Sequence, residues 1–310
     1  MDRSRPRVRL TRLISAEAYA LTFAATFVST FLVVGCNQPA SSEKPQTSQV
    51  NANAPTQRAQ PSSLESVIAR AEAALQRFRS EVRDYKATLT KRERIGKTLG
   101  EPQSMSIKIR SRKYALATED GSNSNSKPKL IDGLHAYLRF VKPASVAGRE
   151  VIWIEGENNN QLTVHEAGML NLISMNLDPS GSLAMVGSKY PITDIGIEKL
   201  LEKLIERGTR DKLLEPAEVT VTSGSMFDDV ACDRIRIVHP KKQDGFDFHI
   251  AEVWIDPRNE IPIYYASYDW PKTPGEAPTL LEEYGYGDLE LNAGLSDSDF
   301  DIKNSEYQFP

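Results

Sequence analysis

Few residues in this chain have the types and spacing that chemistry requires. The four histidines, His135, His165, His239 and His249, show none of the spacing that sets two imidazoles on one helical face. His239 and His249 could become neighbours through an antiparallel hairpin around Pro240–Gly245. Zinc needs further ligands, which the local sequence does not supply, so no metal is expected. Ser180-Gly181-Ser182-Leu183 follows Asp178-Pro179 and reads as a turn rather than a nucleophile elbow. Asp297, Asp299 and Asp301 alternate like calcium ligands but lack the glycine and distal glutamate of a calcium loop. Cys232 lies within the apolar run Val230–Val238, where a thiol serves either as a reactive site or as a small buried hydrophobe, and the second is expected. There is no G-x-S-x-G, no Walker loop and no dinucleotide fingerprint. The expectation is therefore a non-catalytic protein without a cofactor.

The 310 residues carry 38 Lys plus Arg against 42 Asp plus Glu, a formal charge of -4, which argues against a general nucleic-acid binder. Hydrophobic residues make up 40%, enough for a substantial core. At the start, Arg3, Arg5, Arg7, Arg9 and Arg12 precede an uncharged run of 18 residues, Ala18 to Gly35, in the order of an export signal. That run ends Val33-Val34-Gly35-Cys36, which resembles a bacterial lipoprotein box. The resemblance implies cleavage before Cys36, a diacylglycerol on its sulfur, and attachment to a membrane on the periplasmic side of the cell envelope. An uncleaved transmembrane anchor is the alternative. Residues 37–61 are mostly Ser, Pro, Gln, Asn, Thr and Ala, the composition of a disordered tether. The expected organisation is a signal peptide over 1–36, a tether over 37–61 and one domain over 62–310.

The domain opens with a capping box, Ser62-Ser63-Leu64-Glu65, and apolar residues at helical spacing from Leu64 to Val82. The period then becomes two. Tyr85, Ala87 and Leu89 alternate with Lys86, Thr88 and Thr90, and Met105, Ile107 and Ile109 alternate with Lys108, Arg110 and Arg112, with Gly96 and Gly100 between them. Further strands are predicted at 134–141, 151–155, 162–166, 170–176, 218–222, 230–238, 246–256, 261–270 and 280–291. A second helix is predicted from Thr193 or Asp194 to Arg207, ended by Gly208, and an exposed insertion at 119–129. Short turns between strand runs favour antiparallel pairing. The fold class is mainly β (α+β): one long curled antiparallel sheet, a half barrel, with helices packed on its concave face.

Two stretches, Val253–Trp270 and Leu289–Phe309, resemble the closing strands of the half-barrel lipoprotein carriers (Lol-type). More closely, the chain resembles a family of bacterial lipoproteins, the domain of unknown function 1571 (DUF1571). The residues that carry this are Asp84-Tyr85, Lys91-Arg92-Glu93-Arg94, Gly148-Arg149-Glu150-Val151, Tyr190-Pro191-Ile192 and Glu282-Glu283-Tyr284, over roughly Leu64 to Phe309. The family implies no catalytic residues. The half-barrel resemblance implies an apolar cavity for acyl chains, lined by inward-facing members of Trp153, Trp254, Tyr264, Trp270, Tyr284 and Tyr286.

Two charge features complete the reading. Lys86, Lys108, Arg110 and Arg112 fall opposite the apolar set of their strands and form an outward basic face, either solvated or facing anionic lipid heads or an acidic partner. The chain from Glu276 to Pro310 is strongly acidic, and its pairing with the basic hairpin is a further option. The expected function is a membrane-tethered envelope lipoprotein that binds an acyl chain or a lipidated partner without catalysis. The alternative is an envelope interaction or stress-sensing protein with a filled core and charged binding faces. The sequence distinguishes neither inner from outer membrane nor any oligomeric state.

Overall fold

The computed structural model describes residues 58–115, 129–168, 173–214 and 216–310. The lipoprotein box and Cys36 therefore lie outside the described residues, as do most of the tether and all but Lys129 of the expected insertion. The described residues belong to one compact unit. Among the described residues no helix is long and apolar enough to cross a membrane.

The strands are β1 (Gln60–Ser62), β2 (Asp84–Ile95), β3 (Thr98–Leu99), β4 (Gln103–Arg110), β5 (Lys113–Tyr114), β6 (Leu130–Asp132), β7 (His135–Lys142), β8 (Glu150–Ile154), β9 (Leu162–His165), β10 (Ser174–Leu177), β11 (Glu218–Phe227), β12 (Val230–Val238), β13 (Ile250–Asp256), β14 (Ile261–Asp269) and β15 (Thr279–Leu291). Two α-helices join them, α1 (Leu64–Glu81) and α2 (Ile197–Asp211). Thirteen strands form one antiparallel sheet in the order β1-β11-β12-β13-β14-β15-β2-β4-β7-β8-β9-β10, with β3 paired to β2 off this path, while β5 and β6 form a separate pair. Short strands, β1 and β10, stand at its edges, which limits the edge left open to pairing.

The sheet is bent into an open half barrel, and its spacing shows why. From β14 to β9 there are six steps, which in a flat sheet would separate them by about 29 Å at about 4.8 Å per step. Yet Tyr265 of β14 and Val164 of β9 line the same cavity. Both helices fill part of the concave side. Phe78, Leu75 and Ala74 of α1 and Leu201 and Ile197 of α2 join Leu89, Met105, Ile107 and Trp153 in the main core. A second core under α1 gathers Leu64, Val219, Ile235, Val253 and Tyr265.

Three local features differ from the sequence reading, each for a physical reason. Gln60 and Pro61 lie within the expected tether, but together with Ser62 they pair as β1 with Val219–Val221, so ordered pairing begins before residue 62. The cap of α1 is Ser63, whose Oγ accepts from the Ser66 backbone amide at 3.1 Å, one residue later than the predicted box. The predicted second helix is interrupted at its start. A short turn at Ile192–Asp194 is followed by Gly196 at φ 103, a left-handed conformation suited to glycine, and α2 begins only at Ile197. The hydroxyl of Tyr85 accepts the Ile197 amide at 3.1 Å, in place of a cap from the chain itself.

Gly208 does not end α2, which continues to Asp211. Its lack of a side chain instead lets the helices approach, because a Cβ there would lie 2.9 Å from Ile68 Cγ1 of α1. Replacement Gly208→Val should therefore destabilise the fold by about 1–3 kcal/mol through overpacking. Thermal or urea unfolding would show it, and an unchanged midpoint would mean that the contact has room to give.

Candidate functional site

Between α2, the connection from Asp178 to Gly196 and the run of strands from β14 through β15 and β2 to β10 lies a cavity of about 430 Å³. That is within the roughly 300–1,000 Å³ typical of small-ligand sites. Its apolar wall follows from strand parity. Leu89 and Met105 project from β2 and β4, Leu138 and Phe140 from β7, Val151 from β8, and Leu162 and Val164 from β9. Leu183, Ala184 and Ile192 of the connection, with Leu200 and Leu204 of α2, face them.

The same parity carries charge toward the other end. Beyond Leu89 the inward positions of β2 are Lys91 and Glu93, and on β15 they are Glu282, Tyr284 and Tyr286. Glu282 is 1% exposed. It receives Lys189 Nζ at 2.5 Å, the Tyr190 hydroxyl at 2.9 Å and Arg207 Nη1 at 3.2 Å. Arg207 also donates to the hydroxyls of Tyr190 and Tyr265, at 2.9 and 2.8 Å. Glu93 receives the Tyr284 hydroxyl at 2.6 Å and the Lys189 backbone amide at 2.9 Å, while Lys91 donates to Ser188 Oγ at 3.0 Å. These bonds tie the connection to β2 and β15, so the polar wall holds the cavity's cover in place. Three motifs that carry the family resemblance, around Lys91, Tyr190 and Glu282, converge here.

Each cation of the lining has a carboxylate beside it: Lys91 with Glu93 at 3.3 Å, Arg149 with Glu166 at 2.7 Å, Lys203 with Asp194 at 2.9 Å, and Arg207 with Glu282. Burial by itself would raise the Glu282 carboxyl, but Lys189 and Arg207 outweigh it and hold the group below the ordinary value of 4.5. Burial and then the Glu282 and Glu93 charges push the Tyr284 hydroxyl well up, so it stays a donor. Because Glu282 is depressed in the fold, its contribution is complete above pH 4.5 and is lost as the pH falls through its folded value. Melting temperature should accordingly drop below that pH, and Glu282→Gln should flatten that part of the acid limb. An identical acid limb in the variant would remove Glu282 from the account.

Of the six aromatic residues expected in the cavity, Tyr284 and Tyr286 line it and four do not. Trp153 shares the inward face but lies deeper along β8, 1% exposed in the core, donating from Nε1 to the Asn160 carbonyl at 3.3 Å. Trp254 and Tyr264 are register partners on the face opposite Val253 and Tyr265, with rings 5.7 Å apart and Phe227 against both. Phe227 reaches them across Gly285, where a Cβ would come 2.8 Å from its ring. Trp270 follows β14 and packs on His249 at 5.6 Å. Sequence reasoning sought aromatics and missed Lys91, Glu93, Tyr190, Arg207 and Glu282. The available signal was the continuation of an inward apolar series into charged residues.

The expected basic face is not an open surface. The acidic chain after β15 folds back over β4, β7 and β8 as a short turn at Asp297–Phe300, not as a paired strand. Asp299 accepts Lys108 Nζ at 2.8 Å and Asp297 accepts Arg110 Nη1 at 2.6 Å, leaving those two side chains 18% and 15% exposed. Arg112 turns instead to Glu155 at 2.7 Å and Glu198 at 3.6 Å, and Lys86 is opposite Glu290 in the β2–β15 register. The acidic tail has thus taken up Lys108 and Arg110 of this face, and Arg112 is paired within the domain.

The other sequence candidates take structural places. Cys232 is fully buried, and burial, then Asp256, raise its thiol, which disfavours the thiolate. His239 and His249 do meet, the His239 amide donating to the His249 carbonyl at 2.8 Å, and His239 Nε2 contacts Asp211 at 3.1 Å. Ser180 sits in a turn closed onto Asp178. Among the described residues no group of three or more His, Cys, Asp or Glu could hold a metal.

An open antiparallel half barrel with two helices on its inner side and a capped cavity between them defines the class of fold. The chain belongs to the family described as "Protein of unknown function (DUF1571)", whose model matches residues 82–309. No functionally curated protein matches it. Similar solved structures include a DUF1329 family protein from Desulfovibrio piger, at 14% identity and TM-score 0.34, covering 77% of this chain and 97% of that one. A putative outer membrane lipoprotein-sorting protein domain from Vibrio parahaemolyticus is similar to the same extent. The Pseudomonas aeruginosa MucA/MucB complex is similar at 13% identity and TM-score 0.40, with 74% of this chain and 60% of that chain covered.

Proposed function

We propose that the protein is a membrane-tethered envelope lipoprotein that binds an acyl chain, or the lipidated end of a partner, in the half-barrel cavity and makes or breaks no bond. The observation that carries this reading is the cavity of about 430 Å³ walled by leucine, valine, methionine and phenylalanine side chains. Each buried methylene would contribute ~0.8 kcal/mol, so several in line suffice for useful affinity. The polar wall gives the site one apolar and one hydrogen-bonding end, the arrangement that orients an amphiphile. A receptor or sensor role suits an anchored protein better than shuttling between two membranes. Against the alternative of a filled core with charged binding faces stand the open cavity and a basic face already paired with the tail.

A fluorescent acyl probe added to delipidated protein should bind saturably, one per chain. Ala184 lines the cavity from the connection, where a turn tolerates a larger side chain. Ala184→Trp should displace about two methylenes of ligand and weaken binding roughly tenfold while leaving the melting temperature near its parent value. Saturable binding that ignores this substitution would locate the acyl site elsewhere. No saturable binding at all would favour the interaction-protein alternative.

A further inference from the structure

Every cation at the polar end of the cavity is already engaged. All four cations of the lining stand beside carboxylates of the same wall, and Lys189, just outside the lining, shares Glu282 with Arg207, so an anionic head meets no unpaired cation. A carboxylate or phosphate entering there would give up its water and meet Glu93 and Glu282, and could gain a cation only by breaking an existing pair. Hydrogen-bonding capacity is still unspent. Lys91 Nζ has three hydrogens, of which Ser188 and Glu93 take two. Gln103, opposite Lys91 on β4 and also in the lining, has a buried Oε1 that meets no donor among the described residues.

We infer that the cavity selects acyl chains with an uncharged, hydroxyl- and ester-bearing head, such as an acylglycerol, over chains with an anionic head. The inference rests on the acyl-binding reading above and adds the chemistry of the head. An ester carbonyl accepts the spare Lys91 hydrogen, and a glycerol hydroxyl donates to Gln103 Oε1 once that amide turns toward the cavity. The four ion pairs stay intact, so the cover formed by Ser188, Lys189 and Tyr190 remains latched with ligand inside.

Photo-crosslinking of the full chain in phosphatidylcholine vesicles tests this. Two probes share one diazirine-bearing chain: a monoacylglycerol, and an alkyl sulfonate that is ionised at every pH used. Labelled peptides are mapped by mass spectrometry. The monoacylglycerol should label peptides of β7 to β10 about tenfold more than the sulfonate at equal membrane concentration. Asp194→Asn leaves Lys203 without its carboxylate partner and should raise the ratio of sulfonate to monoacylglycerol labelling of those peptides several-fold. Equal labelling by both probes, or preference for the sulfonate, overturns the head-group selectivity and leaves acyl binding standing. Failure of both probes to label these peptides overturns acyl binding together with the selectivity.

Discussion

Replacing Glu282 by alanine should destabilise the protein by about 3 kcal/mol and loosen the cover of the cavity. The carboxylate is the meeting point of Lys189, Arg207 and the Tyr190 hydroxyl, and it is almost wholly buried. Its removal leaves Arg207, with a side chain 19% exposed, short of its main counter-charge. The loss sits at the lower end of the range for broken buried pairs for two reasons. Lys189 is about a third exposed and can turn to water, and Arg207 keeps the hydroxyls of Tyr190 and Tyr265. Glu282→Gln keeps most of the hydrogen bonds and should cost less, about 1–2 kcal/mol. Since Lys189 and Tyr190 belong to the connection over the cavity, Glu282→Ala should also make that segment the first site of limited proteolysis. An unchanged melting temperature and digestion pattern would sink the latch.

The tail after β15 should matter still more. Phe300 is buried beneath it, edge-on to His135 at 5.3 Å and under the Arg110 guanidinium, also at 5.3 Å. Tyr307 stacks on Tyr137 at 4.0 Å, and its hydroxyl donates to the Asp299 carbonyl at 2.7 Å. Loss of a buried phenylalanine costs about 3–5 kcal/mol and loss of a stacked ring pair adds about 1 kcal/mol, so Phe300→Ala with Tyr307→Ala should destabilise by about 4–6 kcal/mol. Release of the tail would also uncover Glu150, fully buried and bonded by the Tyr137 hydroxyl and the Gln308 amide, both at 2.7 Å. It would uncover Lys108 and Arg110 as well, and the variant should gain salt-sensitive binding to anionic vesicles that the parent lacks. Urea unfolding measures the first effect and vesicle flotation the second. A double variant with the parent's stability would show that the tail merely rests on the sheet.

Local features were largely legible in the sequence because local physics sets them. Alternation in Tyr85–Leu89 and Met105–Ile109 marked β2 and β4, and the run Val230–Val238 coincides with β12. Helical spacing located α1 and α2 to within a few residues. Where the reading slipped, a distant partner was responsible. Gly208 has the type and place of a helix stop, yet it sits inside α2 because Ile68 of α1 needs the space. Tyr85, 112 residues before Ile197 and in no local sense its neighbour, caps that helix through its hydroxyl.

Period-two patterning states that Trp254 and Val253 face opposite ways, and the chain alone determined the long strands, both helices to within a few residues, the charge of each segment and the family resemblance. It did not determine which of those two faces meets the helices, since both carry apolar residues and a register shift falls between Trp254 and Ile255. That choice belongs to the curl of the whole sheet, which put Tyr265 inside and Trp254 outside. Long-range closure likewise brought Glu93, Tyr190, Arg207 and Glu282 together from four separate segments, and spent the basic hairpin on the acidic tail. Such contacts depend on three-dimensional distance between groups far apart in the chain, which no local periodicity encodes.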